Sequence, residues 1–541
     1  MENAKTRIVN ANKGGRKSKM NKWNLKHKLA AILIISLFVL AACSQANNTM
    51  ADHMMPTREI SEAKTIDRGL SGLTEAKNSQ IVELKDGQVL QMEAKPVVKE
   101  IDGNKIMMYA YNSQIPGPLI KAKQGSTVYV NFTNNIGAET TIHWHGIRLE
   151  SKFDGVVDIS QKPVKPGESF LYEIKLPDEG IYWYHPHMRE DLQQELGLYG
   201  NIFVEPKDKD YFNKVDNEIA LFLDDIKMKG NDIEPFNNNF ATFTMMGRFG
   251  NKMLLNGETN YRLNIKKGET VRFYLTDSAN TRTFNFMIES HKLKLIGSDS
   301  GKYEKESIVD SIIMAPGERY IVEALFDKAG TYRLIHKTPQ REYKLGEIIV
   351  ENSDAKPDNS FYELKENKDI EKSIEPFKKY LSAKPDYEFR LDVEQSAMGS
   401  MGRMSDNEEI EWEDMGHNAM MNSMSTSKNV KWIIKDEKTG KINMENNYHV
   451  KVGDVKKIRF VNSRNSMHSM QHPMHLHGQR FLVLSVDGKQ NEKLAWKDTV
   501  LVPAGKTVDI LVEFSNPGEW VMHCHIAEHL EAGMMTQFTV V

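Results

Sequence analysis

The run HCHIAEHLEAGM, residues 523–534, sets a thiol between two imidazoles, then adds a third imidazole at His529 and a thioether at Met534. The chain has two cysteines in 541 residues, Cys43 and Cys524. In an extended segment residues i and i+2 face one way and i+1 the other. His523 and His525 therefore point together, and Cys524 points away from them. Three more His-x-His pairs occur: His143/His145 in HWHG, His185/His187 in HPH and His475/His477 in HLHG. Ten of the 17 histidines fall in these motifs or just beside them, a clustering that isolated core histidines do not produce. Imidazole suits Cu, Zn, Fe and Ni. The eight paired histidines can hold three metals as two, three and three. Cys524 then serves a separate metal, with His472, His529 and Met534 as its companions. One thiolate, two imidazoles and a weak thioether describe a blue-copper electron-transfer site. Zinc is the rival for such ligands, but it prefers tetrahedral sites without a thioether and does no redox chemistry. One short covalent path through residues 523–525 then wires the sites together.

Such residues need a rigid frame, and the sequence repeats one. Three segments open with Gly and a strand: QGSTVYVNFTNN (124–135), KGETVRFYLTDS (267–278) and VGDVKKIRFVNS (452–463). Each is followed by a charged turn and an apolar strand, at 164–176, 314–326 and 502–514. Each closes on Gly, an aromatic and a further strand: EGIYWYHPH (179–187), AGTYRLIHK (329–337) and PGEWVMHCH (517–525). Short strand-forming runs between Gly, Pro and Asn turns predict an all-β chain of sandwiches. The expected domains are 77–206, 212–352 and 376–541, with a charged linker at 353–375. Aligned on their closing glycines, the outer repeats carry His-x-His where the middle one has Ile335-His336-Lys337. The middle domain reads as a spacer.

Residues 1–43 read as a targeting segment. Nine Lys and Arg precede the apolar run LAAILIISLFVLAAC, which is short for a bilayer span. Its end, Leu40-Ala41-Ala42-Cys43, resembles a bacterial lipobox, which implies acylation of Cys43 and a tether over 44–76. The chain is thus expected to be exported and lipid-anchored, at the outer face of the cell membrane or in a periplasm. Met20 is a second candidate start, because MNKWNLKHK alone makes a typical basic leader. Removing these nine basic and one acidic residues takes the net charge from −3 to −11. That balance disfavours nucleic acid and leaves membrane contact to the anchor.

The four motifs HWHG, HPH, HPMHLHG and HCHIAEHLEAGM resemble those of the multicopper oxidases, the laccase-like group of three cupredoxin domains. The resemblance spans about residues 77–541. It implies three consecutive cupredoxin-like Greek-key β-sandwiches and four Cu ions. Type 1 copper would be held by His472, Cys524, His529 and axial Met534, and type 2 copper by His143 and His475. One type 3 copper would fall to His145, His185 and His525, the other to His187, His477 and His523. Four coppers match the four electrons that reduce O2 to water, supplied one at a time by a donor. Asp154 in KFDGVV matches an acidic proton-relay position of bacterial members. Where some members carry an acid directly after the second type 1 histidine, this chain has Leu530, which leaves Glu528 and Glu531 as weaker candidates.

The stretch 396–424 holds Met398, Met401, Met404, Met415, Met420, Met421 and Met424, with His417 and several acids. Thioethers are soft ligands suited to Cu(I), and the stretch resembles the Met-rich insert of bacterial cuprous oxidases of copper homeostasis. Before the type 1 histidine those enzymes carry an acid and then a Met. Met470 fits that pattern, and His468 stands where the acid would be. The expected reaction is oxidation of Cu(I) by O2. A laccase acting on phenols or aryl amines is the alternative, and a copper-storage lipoprotein without turnover is a second one.

Overall fold

The computed structural model describes residues 68–236, 240–395, 408–413, 430–466 and 468–541. The strands arise from alternation. Thr127–Asn134 is half-buried and buried by turns along its whole length, as a strand with one face on a core must be. Thr270–Asp277 is instead buried throughout, with both faces covered.

Strands group into three sandwiches, each with two sheets around one apolar core. In the first, Phe132, Trp144 and Tyr172 pack between the sheets; in the second, Phe273, Phe286 and Val322; in the third, Phe460, Trp520 and Phe538. One sheet recurs with the same topology. In the first unit it runs Leu119–Lys123, Gly200–Glu205, Gly180–His185, His143–His145. In the middle unit it runs Tyr261–Lys266, Glu342–Glu351, Gly330–Lys337, Phe284–Ile288. In the last it runs Asn447–Val450, Met535–Val540, Gly518–Cys524, His472–Leu476. Each time the first two strands pair in parallel and the next two pairings are antiparallel.

This topology puts the HPH and HCH strands at equivalent interior places, each beside the strand of another His-x-His pair. The register sets His143 opposite His185 and His475 opposite His523. In the middle unit the equivalent strand carries His336, which accepts the Asn285 N–H at 3.0 Å and lies against Phe284 and Tyr343.

Two connecting stretches are more ordered than a linker or tether need be. Within 353–375 lie a 3-10 turn, Asn359–Tyr362, and a helix, Lys368–Ile374. Ile370 and Ile374, one turn apart, bury against Leu482 and Trp496 of the third sandwich. At the end of 44–76, Arg68 donates to the Ile233 carbonyl at 2.9 Å and Glu75 bridges to Val98.

Candidate metal centre

The outer sandwiches bring their four His-x-His pairs to one buried point. His143 stacks on His477 with ring centroids 3.9 Å apart, and His145 on His475 at 3.7 Å. The rings thus interleave across the two units. His145, His185 and His525 lie 5.0–5.7 Å apart by centroid. His187, His477 and His523 lie 5.0–5.3 Å apart, and His143 lies 5.7 Å from His475.

Hydrogen bonds fix which nitrogen is free in most of these rings, His525 having neither nitrogen bonded. Carbonyl oxygens only accept, so a ring nitrogen facing one must carry the proton. Nδ1 of His143 donates to the Asp154 carbonyl at 2.8 Å, and Nδ1 of His475 to that of Asp498 at 2.9 Å. His185 and His523 donate to the Pro186 and Cys524 carbonyls, both at 2.9 Å. Nδ1 of His477 meets the Asp154 carboxylate at 2.8 Å. His145 is turned the other way: its Nε2 meets Asp498 at 3.0 Å. The opposite nitrogens of His143, His145, His185 and His475 are buried without a hydrogen-bond partner, as is Nε2 of His187. Nε2 of His477 and His523 face each other at 2.9 Å. Burial first, and neighbouring imidazoles second, hold His145, His185, His187, His477, His523 and His525 well below the usual histidine range. Convergent neutral imidazoles with buried lone pairs are costly in a protein without a ligand and are what a cluster of metal ions requires.

The second group lies on the far side of the HCH strand. Cys524 Sγ is 3.5 Å from His472 Nδ1 and 3.6 Å from His529 Nδ1, and these nitrogens are 3.3 Å apart. A triangle of such sides has its centre about 2.0 Å from each corner, the length of an imidazole–metal bond. All three residues are buried, and burial pushes the Cys524 thiol up. A cation at the triangle's centre would make the thiolate the stable form. Met534 is fully buried in the same core, and its carbonyl accepts the Cys524 N–H at 3.2 Å.

Several partners have no sequence signature. Asp498 holds His145 and His475 and is itself gripped by Arg319 of the middle unit, with both contacts at 2.6 Å. Burial opposes its charge, but Arg319 keeps its carboxyl well below the usual range. Gly146, the glycine of HWHG, has φ +84°, and a Cβ there would lie 2.4 Å from Asp498 Oδ2. A Cβ on Gly317 would lie 2.8 Å from the His525 ring. The middle unit gives no imidazole to these clusters, yet it touches them through residues 317 and 319. Glu190, three residues after His187, brings Oε1 to 3.5 Å from His187 Nδ1. Burial, then Glu531 and Asp191, raise its carboxyl well above the usual range.

Asp154 thus lies among the paired histidines, against His143 and His477. Glu528 is buried and accepts from Thr281 at 2.9 Å and Asn280 at 3.3 Å. Burial, then Asp191, lift it to about 8. A carboxyl raised in the folded state loses stability as pH climbs from its unfolded value, about 4.3, to its folded one. Thermal unfolding of the metal-free chain between pH 5 and 8 should therefore carry two opposed contributions: the depressed histidines make stability rise with pH, Glu528 lowers that slope, and Glu528→Gln should steepen it. An unchanged slope in the variant would remove Glu528 as a contributor.

In the core that also holds Cys524, Met470 is fully buried, and His468 Nε2 lies 3.5 Å from Glu411 Oε1. Burial pulls His468 down to about 4. The segment carrying Glu411 is pinned from both sides: Gln471 exchanges two hydrogen bonds with the Glu411 backbone, Arg341 pairs with Glu413, and Arg282 donates to the Trp412 carbonyl at 2.6 Å. Trp432, fully buried, stacks on His529. Cys43, Met398, Met401, Met404, Met415, Met420, Met421 and Met424 lie outside the described residues.

Models of the multicopper oxidase family match residues 94–209, 209–347 and 410–541. Multicopper oxidase mco of Staphylococcus aureus is 27% identical over 446 residues, which is 81% of this chain and 85% of the relative. Multicopper oxidase MmcO of Mycobacterium tuberculosis is 26% identical over 538 residues, 93% of this chain and 94% of that one. A solved multicopper oxidase from Pseudomonas thermotolerans, 25% identical, superposes with a TM-score of 0.64 over 85% of this chain and all of its own. With its two converging ligand groups and three matched domains, the chain belongs to the multicopper oxidases, copper enzymes that pass electrons from a donor to O2.

Proposed function

We propose that the chain oxidises Cu(I) and reduces O2 to water with four coppers: one at His472, Cys524, His529 and Met534, one at His143 and His475, and a pair at the remaining six histidines. When bound, the coppers accept electrons singly and deliver four to O2. The observation that carries the choice of donor is the Glu411–His468 pair at 3.5 Å beside buried Met470. His468 stands where an acid was expected, and the fold brings an acid to it from the Met-rich insert. A carboxylate and an imidazole suit a copper donor, and a thioether two residues along the chain favours Cu(I). The seven methionines at 398–424 support the same reading by composition. The basic leader and Leu40-Ala41-Ala42-Cys43 support export and lipid anchoring of the mature chain.

The test is O2 uptake by copper-loaded residues 44–541 given Cu(I), then a phenol, with and without residues 396–424. Cu(I) should drive turnover, and the deletion should lower it and raise phenol oxidation. Efficient phenol turnover that the deletion leaves unchanged would make the chain a general laccase. Copper loading without O2 uptake from any donor would make it a storage protein.

We assign Asp154 a double part: holding His477 and His143, and relaying protons. Asp154→Ala should cost about 10–100-fold in trinuclear copper affinity or turnover, the usual effect of losing such a partner. Asp154→Asn should keep the copper, because an amide oxygen still accepts from His477, and should lose turnover. Full turnover in the Asn variant would leave Asp154 with the positioning part alone.

A further inference from the structure

We propose that Trp432 is the positioning residue that couples the Glu411–His468 pair to the type 1 ligands, so that electrons from Cu(I) enter through His529. The proposal rests on the Cu(I) reading above.

Three ring contacts define the route. The indole stacks on His529 at 3.9 Å and 27°, meets His472 edge-on at 5.0 Å, and meets His468 edge-on at 6.2 Å. Trp432 is thus the one ring, among those described, that touches the outer pair and both type 1 imidazoles. Its orientation is locked: the indole N–H donates to the Thr244 carbonyl at 2.7 Å, and Thr244 sits on the helix Phe240–Met246. That helix packs on both the strand Val430–Asp436 and the helix Ala527–Glu531 that bears His529. The competing route runs from His468 to His472 along the chain, through four peptide units of mostly saturated bonds. Electronic coupling falls with the length of the path, and the ring route, with centroid steps of 6.2 and 3.9 Å, is the shorter of the two.

The step balances simply. One electron leaves the donor ion, Cu(I), which becomes Cu(II), and the same electron would reduce the Cu(II) that His472, Cys524 and His529 are proposed to hold. No bond forms or breaks, no proton moves, and Trp432 ends as it began.

The test uses the copper-loaded enzyme with Trp432→Phe and Trp432→Leu. Three quantities are read: the thiolate-to-copper absorption band, affinity for Ag(I) as a redox-inert probe of the Cu(I) site, and the rate of anaerobic bleaching of the band by Cu(I). Trp432→Leu should leave the band and Ag(I) affinity unchanged and slow bleaching about tenfold or more, with kcat for Cu(I) falling at constant KM. Trp432→Phe, which keeps a stacked ring, should recover part of the rate. Unchanged bleaching in the Leu variant, or loss of the band in both variants, would overturn the proposal. Glu411→Gln separates this from the donor assignment: if it alters neither Ag(I) affinity nor Cu(I) bleaching, the Cu(I) reading fails whatever Trp432 does.

Discussion

Cys524→Ser should abolish turnover with every donor while leaving the trinuclear ligands in place. The thiol is the one soft anionic ligand in its group, 3.5 Å from His472 Nδ1 and 3.6 Å from His529 Nδ1. It is also the chain link between His523 and His525. Serine matches its size closely, so the fold should persist, but a hydroxyl supplies neither thiolate donation nor that electron route. A loss on the order of a thousandfold, about 4 kcal/mol in barrier, is expected in O2 uptake. The intense visible band should vanish, and copper content should fall by about one ion, as loss of a single ligand group implies. Donor-driven O2 uptake surviving in the serine variant would refute this wiring.

Arg319→Met should destabilise the chain by about 3–5 kcal/mol, the usual cost of stranding a buried charge. Arg319 and Asp498 are both fully buried, and the guanidinium grips the carboxylate with two bonds of 2.6 Å. Asp498 without its partner still orients His145 and His475 but carries an uncompensated charge. Denaturant unfolding of the metal-free protein reads the loss. Adding Asp498→Leu should restore much of the stability, because an apolar pair often replaces a buried ion pair at little cost. The double variant should nonetheless bind copper less well at the histidine cluster, since His145 loses its carboxylate partner while His475 keeps only the carbonyl of residue 498. An Arg319→Met variant as stable as the parent would show that the pair contributes little.

The convergence of the paired histidines was legible in the sequence because strand alternation places i and i+2 together. The three sandwiches were legible because the chain repeats one pattern of strands. The second layer was not. Asp498 stands 353 positions from His145 and Arg319 stands 179 from Asp498; neither lies in a motif, and only the packing of all three units joins them. Trp432 carries no signal of its role, since a buried tryptophan is ordinary. Glu190 had a faint one, an acid three residues past a ligand. Reading the middle repeat as a spacer followed from its lack of paired histidines, a test that cannot see a glycine or an arginine reaching across an interface.

That reach bears on how the enzyme matures. His143 to His187 leave the ribosome first, Gly317 and Arg319 next, and His475 to His525 last. No fragment that ends before His475 carries both halves of the interleaved histidine cluster, so the cluster exists only once the first and last sandwiches are both present. Assembly of that cluster then reports that the last sandwich has docked against the first.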